Sequence, residues 1–387
     1  MAEYIGYQIE VEMEGVEFTI HPSELEITLR DSIHSFYSSA AFSVQDVSGI
    51  FTEHGAFKNG VPYRIKLGRA NQEPAYNSYV VSHSSIDDVA TPGFVSGEVT
   101  ANMVHQFLSL QGKESSAFDG EISGFVEQLV ADGDFEELLI EPTSYSRIWY
   151  RPLWSQEETI RMLCRKAYST NSEGTPFYCF TDSKNRFHFE SYETLFEKSP
   201  VKDYVFRPES EEGYSNNTVY TMLPVSPKYS SSWDSWHHAQ YWMTPEGEIQ
   251  EDVRTLLDIT SAEGNVPFLG QAELPTSYEF EWTEKEEPDR ESRIAQNFKN
   301  GLFLDKYIIR VPLDSEAVAG ETVNITTLYY SENGRETSPA TSGKYLIESS
   351  KHEWVGKRQT AYSELLVSRP RIAYPSGYLI GGRTFGA

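Results

Sequence analysis

Apolar and polar residues alternate in short runs at both ends of this chain, and a period of two permits little besides β-sheet. Near the start, Ile9, Val11 and Met13 alternate with Glu10, Glu12 and Glu14, which predicts a strand with one wet face, followed by a turn at Gly15. Phe18–Ile20, Ile27–Leu29, Ala41–Val44, Tyr63–Leu67, Tyr79–His83 and Gly97–Ala101 continue the pattern, and Lys58-Asn59-Gly60 supplies a turn. Closely spaced short strands of this kind predict a small barrel or sandwich over 5–101. The alternation returns at Ile308–Val311, Thr322–Ile325, Gly343–Glu348 and Tyr362–Val367.

Between these regions the period changes. Ile122, Phe125, Val126, Leu129 and Val130 fall on one face of a helix that ends at Asp132-Gly133. Ser155-Gln156-Glu157-Glu158 is a capping-box sequence, and Ile160, Leu163, Cys164 and Ala167 share the face that follows it. Phe177–Phe180 and Arg186–Phe189 read as a hairpin joined by Thr181–Asn185. Residues 207–290 hold long polar stretches, with strands expected only near 216–223 and 236–243. Asp289 caps an expected helix at 290–303, on which Ile294, Phe298 and Leu302 share a face. The tail, 371–387, is Gly-rich with two Arg and no acid, and reads as an extended arm.

The chain has 387 residues, enough for two to four domains. Its net charge of −26 disfavours a nucleic-acid grip, because such affinity comes from basic side chains neutralising phosphates. The same charge suits solubility, or a channel wall along which DNA slides without adhering. No apolar run approaches the roughly 18 residues of a membrane helix. The start has no basic segment followed by an apolar one, so no secretory signal is read. Two cysteines, Cys164 and Cys179, fit a reducing compartment and exclude a disulfide framework.

The residues offer little chemistry. His188 and Glu190 share a strand face, but no third ligand accompanies them, so they read as an exposed polar pair and not a metal site. His237 and His238 point to opposite faces of a strand. His352-Glu353 reads as a solvated hairpin turn. The acidic run from Glu279 to Asp289 reads as a solvated segment, since a glycosidase needs carboxylates held across a cleft. Cys164 and Cys179 read as packing residues. Leu379-Ile380-Gly381-Gly382-Arg383 has no following helix to make it a phosphate nest. Nucleotide-binding loops and a G-x-S-x-G elbow are missing. No catalytic, cofactor-binding or metal-binding residue is assigned, no cofactor is expected, and the chain reads as a non-enzyme. Trp233, Trp236, Trp242 and Trp282 suit either partner contacts or an internal aromatic cluster.

A biological role enters through resemblance. Leu25–Ile33, a connector beginning Arg30-Asp31-Ser32, and Ala40–Phe51 with its Asp46–Gly49 turn resemble the opening of the central hub protein of contractile phage tail baseplates. Val318–Ile325, Gly343–Ser349 with His352-Glu353, and Tyr362–Arg369 resemble the second β module of such hubs and of the hub part of type VI secretion spikes. Trp154–Leu163 resembles the capped helix after the first module, and Arg293–Tyr307 the helix returning to the second. The order of these motifs covers most of the chain, and 207–290 departs from it.

The resemblance implies a β-rich α+β fold, with two small β-barrel tube domains flanking an α+β insert. Residues 1–111 would form the first barrel, 112–214 the insert, and 215–244 with 304–370 the second barrel. Residues 245–303 would be loop-rich and helical, and 371–387 an arm. It further implies a homotrimeric ring joining a hexameric tail tube, or its initiator, to a trimeric puncturing spike carried by a separate chain. That ring would touch other baseplate proteins and surround the DNA path in a virion assembled in the host cytoplasm. It implies no specific nucleic-acid binding and no integral membrane segment. A tail-associated cell-wall hydrolase and the hub of a non-phage injection machine are the alternatives.

Overall fold

The computed structural model of the protein describes residues 3–4, 6–13, 22–46, 58–91, 94–105, 112–169, 176–207, 216–225, 237–243, 249–255, 276–280, 305–331, 334–338, 341–369, 378–380 and 383–385. The fold is a strand-rich α+β one. It opens with β1 (Glu3–Tyr4), β2 (Tyr7–Met13), β3 (Leu25–Ser32), β4 (Ser39–Asp46), β5 (Pro62–Arg69), β6 (Ala75–Thr91) and β7 (Phe94–His105). These pair antiparallel in the order β1-β2-β5-β6-β7-β4-β3. The alternation read from the sequence has a direct cause: Ile9, Val11 and Met13 turn inward with Ile27, Leu29, Phe42, Ile65 and Tyr79, while Glu10 and Glu12 stay exposed.

A middle unit follows. A two-stranded ribbon pairs β8 (Glu114–Glu121) with a strand beyond the helix α1 (Ile122–Val130) and the short strand β9 (Glu137–Ile140). That ribbon partner is β10 (Ser146–Trp154). Next come the helix α2 (Gln156–Lys166), the hairpin β11 (Phe177–Thr181) and β12 (Arg186–Ser191), and the short helix α3 (Tyr192–Glu197). β9 adds to β12 in parallel. The helix faces read from spacing are the buried ones, and both halves of the Ser155–Glu158 capping box are formed. Their core also takes in Phe36, which reaches across from the β3–β4 connection.

The sheet then resumes. β13 (Lys202–Phe206) runs parallel to β14 (Thr218–Val219), which continues into β15 (Thr221–Pro224). Three strands, β16 (His237–Met243), β17 (Ile249–Thr255) and β18 (Thr276–Phe280), form a small separate sheet, and the polar sequence had given no expectation of the last two. Four strands and a short fifth complete the main sheet: β19 (Asp305–Pro312), β20 (Thr322–Ser331), β21 (Gly334–Thr337), β22 (Gly343–Val355) and β23 (Thr360–Arg369). The tail carries a hairpin of β24 (Tyr378–Ile380) and β25 (Arg383–Phe385). The expected strand at Phe18–Ile20, the turn at 47–49, the helix at 290–303, the acidic residues 281–289 and Trp233, Trp236 and Trp282 lie outside the described residues. Among the described residues no helix is long and apolar enough to cross a membrane.

In the second β region, strand pairs run around one interior, broken between β14 and β15, which are joined only along the chain through Tyr220. β20 pairs with β13, β13 with β14, β15 with β19, β19 with β23, β23 with β22, and β22 with β20. Tyr204, Ile309, Val311, Val323, Ile325, Tyr345 and Leu365 fill that interior. β22 also pairs with β3, so one continuous sheet spans both β regions and two separate apolar cores.

Candidate functional site

The described residues that demand explanation are polar, and they sit where the two cores meet. β22 carries a bulge at Glu348, between Ile347 and Ser349. The extra residue advances the side-chain phase by one. Tyr345 and Ile347 face the second core, and beyond the bulge Ser350, His352 and Trp354 fall on that same inner side. Cross-strand neighbours extend the face: Ser350 lies opposite Asp31, His352 opposite Leu29 and Ser363, and Trp354 opposite Ile27. A buried polar cluster of Asp31, Ser350, His352 and Ser363 thus separates Trp354 and the first core from Ile347, Leu365 and the second.

One proton arrangement satisfies the whole cluster. Ser350 Oγ donates to Asp31 Oδ1, so it accepts from His352 Nε2, 3.1 Å away. His352 Nδ1 then accepts from Ser363 Oγ at 2.8 Å, and Ser363 Oγ accepts from the Asp314 amide at 2.9 Å. This tautomer is assigned from the network. Burial drives His352 the same way, pulling its pKa down and keeping the ring neutral. Serine, histidine and aspartate here are not a nucleophilic triad. In a triad the base lies between nucleophile and carboxylate and takes the hydroxyl proton. Here the serine lies between, its proton is directed at the carboxylate, and all three side chains are closed to solvent.

The remaining acceptor capacity of Asp31 ties in the other parts of the chain. Oδ2 accepts the Ser183 amide at 2.9 Å and Oδ1 the Ala319 amide at 3.2 Å. Ser183 belongs to Thr181–Asn185, the tip of the β11–β12 hairpin, which enters the junction from the middle unit. Around it, the Thr181 amide donates to Phe36 O at 3.0 Å, Asn77 Nδ2 donates to Asp182 O at 2.8 Å, and His105 Nε2 lies 2.8 Å from Asn185 Oδ1. Gly320 must be glycine for two reasons: its φ is +83°, and a Cβ would stand 2.5 Å from the Phe180 ring. A second staple forms at Asp314, which accepts from Tyr204 Oη at 2.8 Å and from Gln72 Nε2 at 3.1 Å, joining both β regions.

Behind the hairpin tip lies an ionic chain. Asp182 Oδ2 accepts from Arg186 Nε at 2.7 Å and from His188 Nε2 at 3.1 Å. His188 Nδ1 is 2.7 Å from Glu190 Oε2, which also accepts from Lys198 Nζ at 2.8 Å. Arg186 Nη2 reaches Glu321 Oε1 at 2.7 Å in the second β region. Burial opposes charge on His188, but the hydrogen bonds to Asp182 and Glu190 outweigh it and raise its pKa, so the ring donates from both nitrogens. Burial likewise opposes charge on Asp182 and Glu190, and their His188 hydrogen bonds overcome it, holding both carboxyls below the usual range.

Three readings from the sequence are corrected here. His188 and Glu190 are not an exposed pair: His188 is fully buried, because one face of β12 packs into the helical core and the other, which carries His188, closes with Phe180 against Ile33, Ala319 and Leu346 of the β regions. His352-Glu353 is not a turn, because β22 runs through it to Val355, and His352 faces inward. The connector expected to begin at Arg30 starts later, since β3 continues to Ser32. Cys164 is buried in the helical core and Cys179 packs against it. Among the described residues no cluster of three or more metal-ligating side chains stands together. Asp31, Asp182, Asp314 and Ser350 were missed, although Asp31 carried a phase signal: it stands two residues from the core position Leu29 in an alternating strand.

The histidines act in separate pH windows. His188 is raised from 6.5, so its stabilisation is complete below that value and is lost as pH rises through its folded pKa. His105 and His352 are lowered from 6.5, chiefly by burial, so their stabilisation is complete above that value and is lost as pH falls through their folded pKa values. His352→Gln should flatten the acid side of the stability profile, and His188→Gln the alkaline side. Urea unfolding of each variant from pH 5 to pH 9 checks this, and equal effects on both sides would reject the assignment.

No protein-family model matches the chain, and no curated protein matches it in sequence. Solved structures do match. A tail protein from Neisseria meningitidis superposes with a TM-score of 0.59 at 11% identity, covering 96% of this chain and 100% of that one. A 43 kDa prophage tail protein from Shewanella oneidensis gives 0.58 at 9% identity, covering 95% and 99%. An E. coli component of the type VI secretion system, described as structurally similar to tail proteins of bacteriophage T4, gives 0.51 at 8% identity, covering 96% and 82%. Over at least 95% of its length, therefore, this chain has the fold shared by these two tail proteins and the type VI secretion component.

Proposed function

We propose that this protein is the structural hub of a phage tail baseplate. The observation that carries the reading is the end-to-end correspondence with two tail proteins, one of them from a prophage, each matched over at least 99% of its own length. In this reading the two apolar cores are two tube modules, the second wrapped by strands β13–β15, β19, β20, β22 and β23. Three copies place six modules in a ring between a hexameric tail tube and a trimeric spike. The buried seam supports this work, because a ring that transmits force needs its two modules held at one angle. Hydrogen bonds accepted by Asp31, Asp182 and Asp314 supply that rigidity without an open reactive centre. The charge of −26 lets DNA pass the ring without adhering.

Mass photometry of the purified chain, alone and with its spike protein, is the direct test. A trimer is expected, and a persistent monomer in both samples would count against the hub. A second reading, the hub of a non-phage injection machine, is favoured by the type VI match. Capsid and packaging genes beside the coding sequence would decide between them.

A further inference from the structure

The network of Asp31, Ser350, His352 and Ser363 is complete in one protonation state. With His352 neutral, Nδ1 accepts from Ser363 Oγ at 2.8 Å and Nε2 donates to Ser350 Oγ at 3.1 Å, while Ser350 directs its own proton at Asp31 Oδ1. A proton added at Nδ1 meets the hydrogen that Ser363 already points there, so the hydroxyl must turn away. Among the described residues Ser363 Oγ bonds the His352 ring and the Asp314 amide and nothing else. Turned away in a site closed to solvent, it is a donor without an acceptor, which costs free energy. The charges facing the ring do not repair this. Asp31 from β3 and Asp314 from the β19–β20 connection favour the imidazolium, and Lys184 from the hairpin tip opposes it. Neither carboxylate bonds the ring: Asp31 accepts from Ser350, Ala319 and Ser183, and Asp314 from Tyr204 and Gln72. Burial dominates, so the closed seam resists a proton that an open seam would accept.

We propose that this network is an acid-released latch: protonation of His352 opens the seam between the two β regions and frees the hairpin tip, while each apolar core stays folded. The release is local because both cores are built from apolar and tyrosine side chains, which do not titrate in acid. The ionic chain behind the tip does not let go in the same range, since His188 binds its proton more tightly in the folded chain. The sign follows from linkage. An exposed ring titrates near 6.5 and the closed one lower, so between the two values the open seam binds more protons and gains population as pH falls. The latch stands on these contacts and holds whether or not the chain is a hub.

Hydrogen exchange of the full-length protein from pH 7.5 to pH 5, read residue by residue and corrected for the intrinsic pH dependence of exchange, tests this. Asp31 accepts the amides of Ser183 and Ala319, and Ser363 accepts that of Asp314. Below pH 6.5 these three should lose protection about tenfold for each pH unit, the one-proton slope, while the amides of β5 and β23 keep theirs. In His352→Gln the three amides should hold constant protection over the whole range. His105→Gln, which alters another histidine at the tip, should leave the acid response in place. The wild-type ring gives a readout that needs no variant: nitrogen NMR should find the His352 proton on Nε2 at pH 7.5 and a second proton arriving as the amides open. Constant protection in the wild type would overturn the latch, as would an equal loss in His352→Gln, a response abolished by His105→Gln, or a loss spread evenly over β5 and β23.

Discussion

Asp182→Ala should lower the unfolding free energy by about 3–5 kcal/mol, the usual loss when one member of a buried ion pair is removed. The aspartate carries several bonds at once. Its carboxylate accepts the Arg186 and His188 side chains and, through Oδ1, the amides of Lys184 and Arg186. Truncation leaves His188 charged in a dry site with Glu190 alone and leaves two turn amides without an acceptor. Asp182→Asn should cost less, because one oxygen remains to hold the turn. Urea unfolding at pH 7 with an unchanged denaturant slope measures both losses. A loss under about 1 kcal/mol for the alanine variant would mean that the ionic chain does not hold the hairpin tip in the junction.

Phe36→Ala should cost about 3–5 kcal/mol, the range for removing a buried aromatic ring from a core. Phe36 is 1% exposed and lies in the helical core although its backbone belongs to the β3–β4 connection. Its ring meets Tyr37 and Phe187 edge-on at 4.8 and 6.1 Å. The effect should be regional as well as global. The Thr181 amide, bonded to Phe36 O, and the Ser183 amide, bonded to Asp31, should lose hydrogen-exchange protection before the interior strands do. Protection lost uniformly over both β regions would show that Phe36 serves general packing and not the attachment of the middle unit.

The legible parts of this fold share a property: each signal is confined to a short window. The face of α1, the capping box of α2 and the inward set Ile9, Val11 and Met13 depend on neighbours within a few residues. His188 misled because period two reports that Glu190 shares its face but not what covers that face. His352-Glu353 misled because polar residues in a strand look like a turn until a bulge and a long-range partner supply their environment. The connector after Ser32 was visible as small and aromatic residues, yet nothing local says that Phe36 belongs to a core built mainly from residues 122–189.

By itself, then, the chain's order of residues determined the alternating strands of the two β regions, the buried faces of α1 and α2 and the cap of α2, because backbone period and caps are properties of adjacent residues. Tertiary structure alone decided the seam. Asp31 meets Ser350 across 319 positions, and Arg186, bonded to Asp182, reaches Glu321 across 135. Whether such a carboxylate is solvated or becomes the buried link between modules depends on which distant surfaces close over it, and no local pattern encodes that closure.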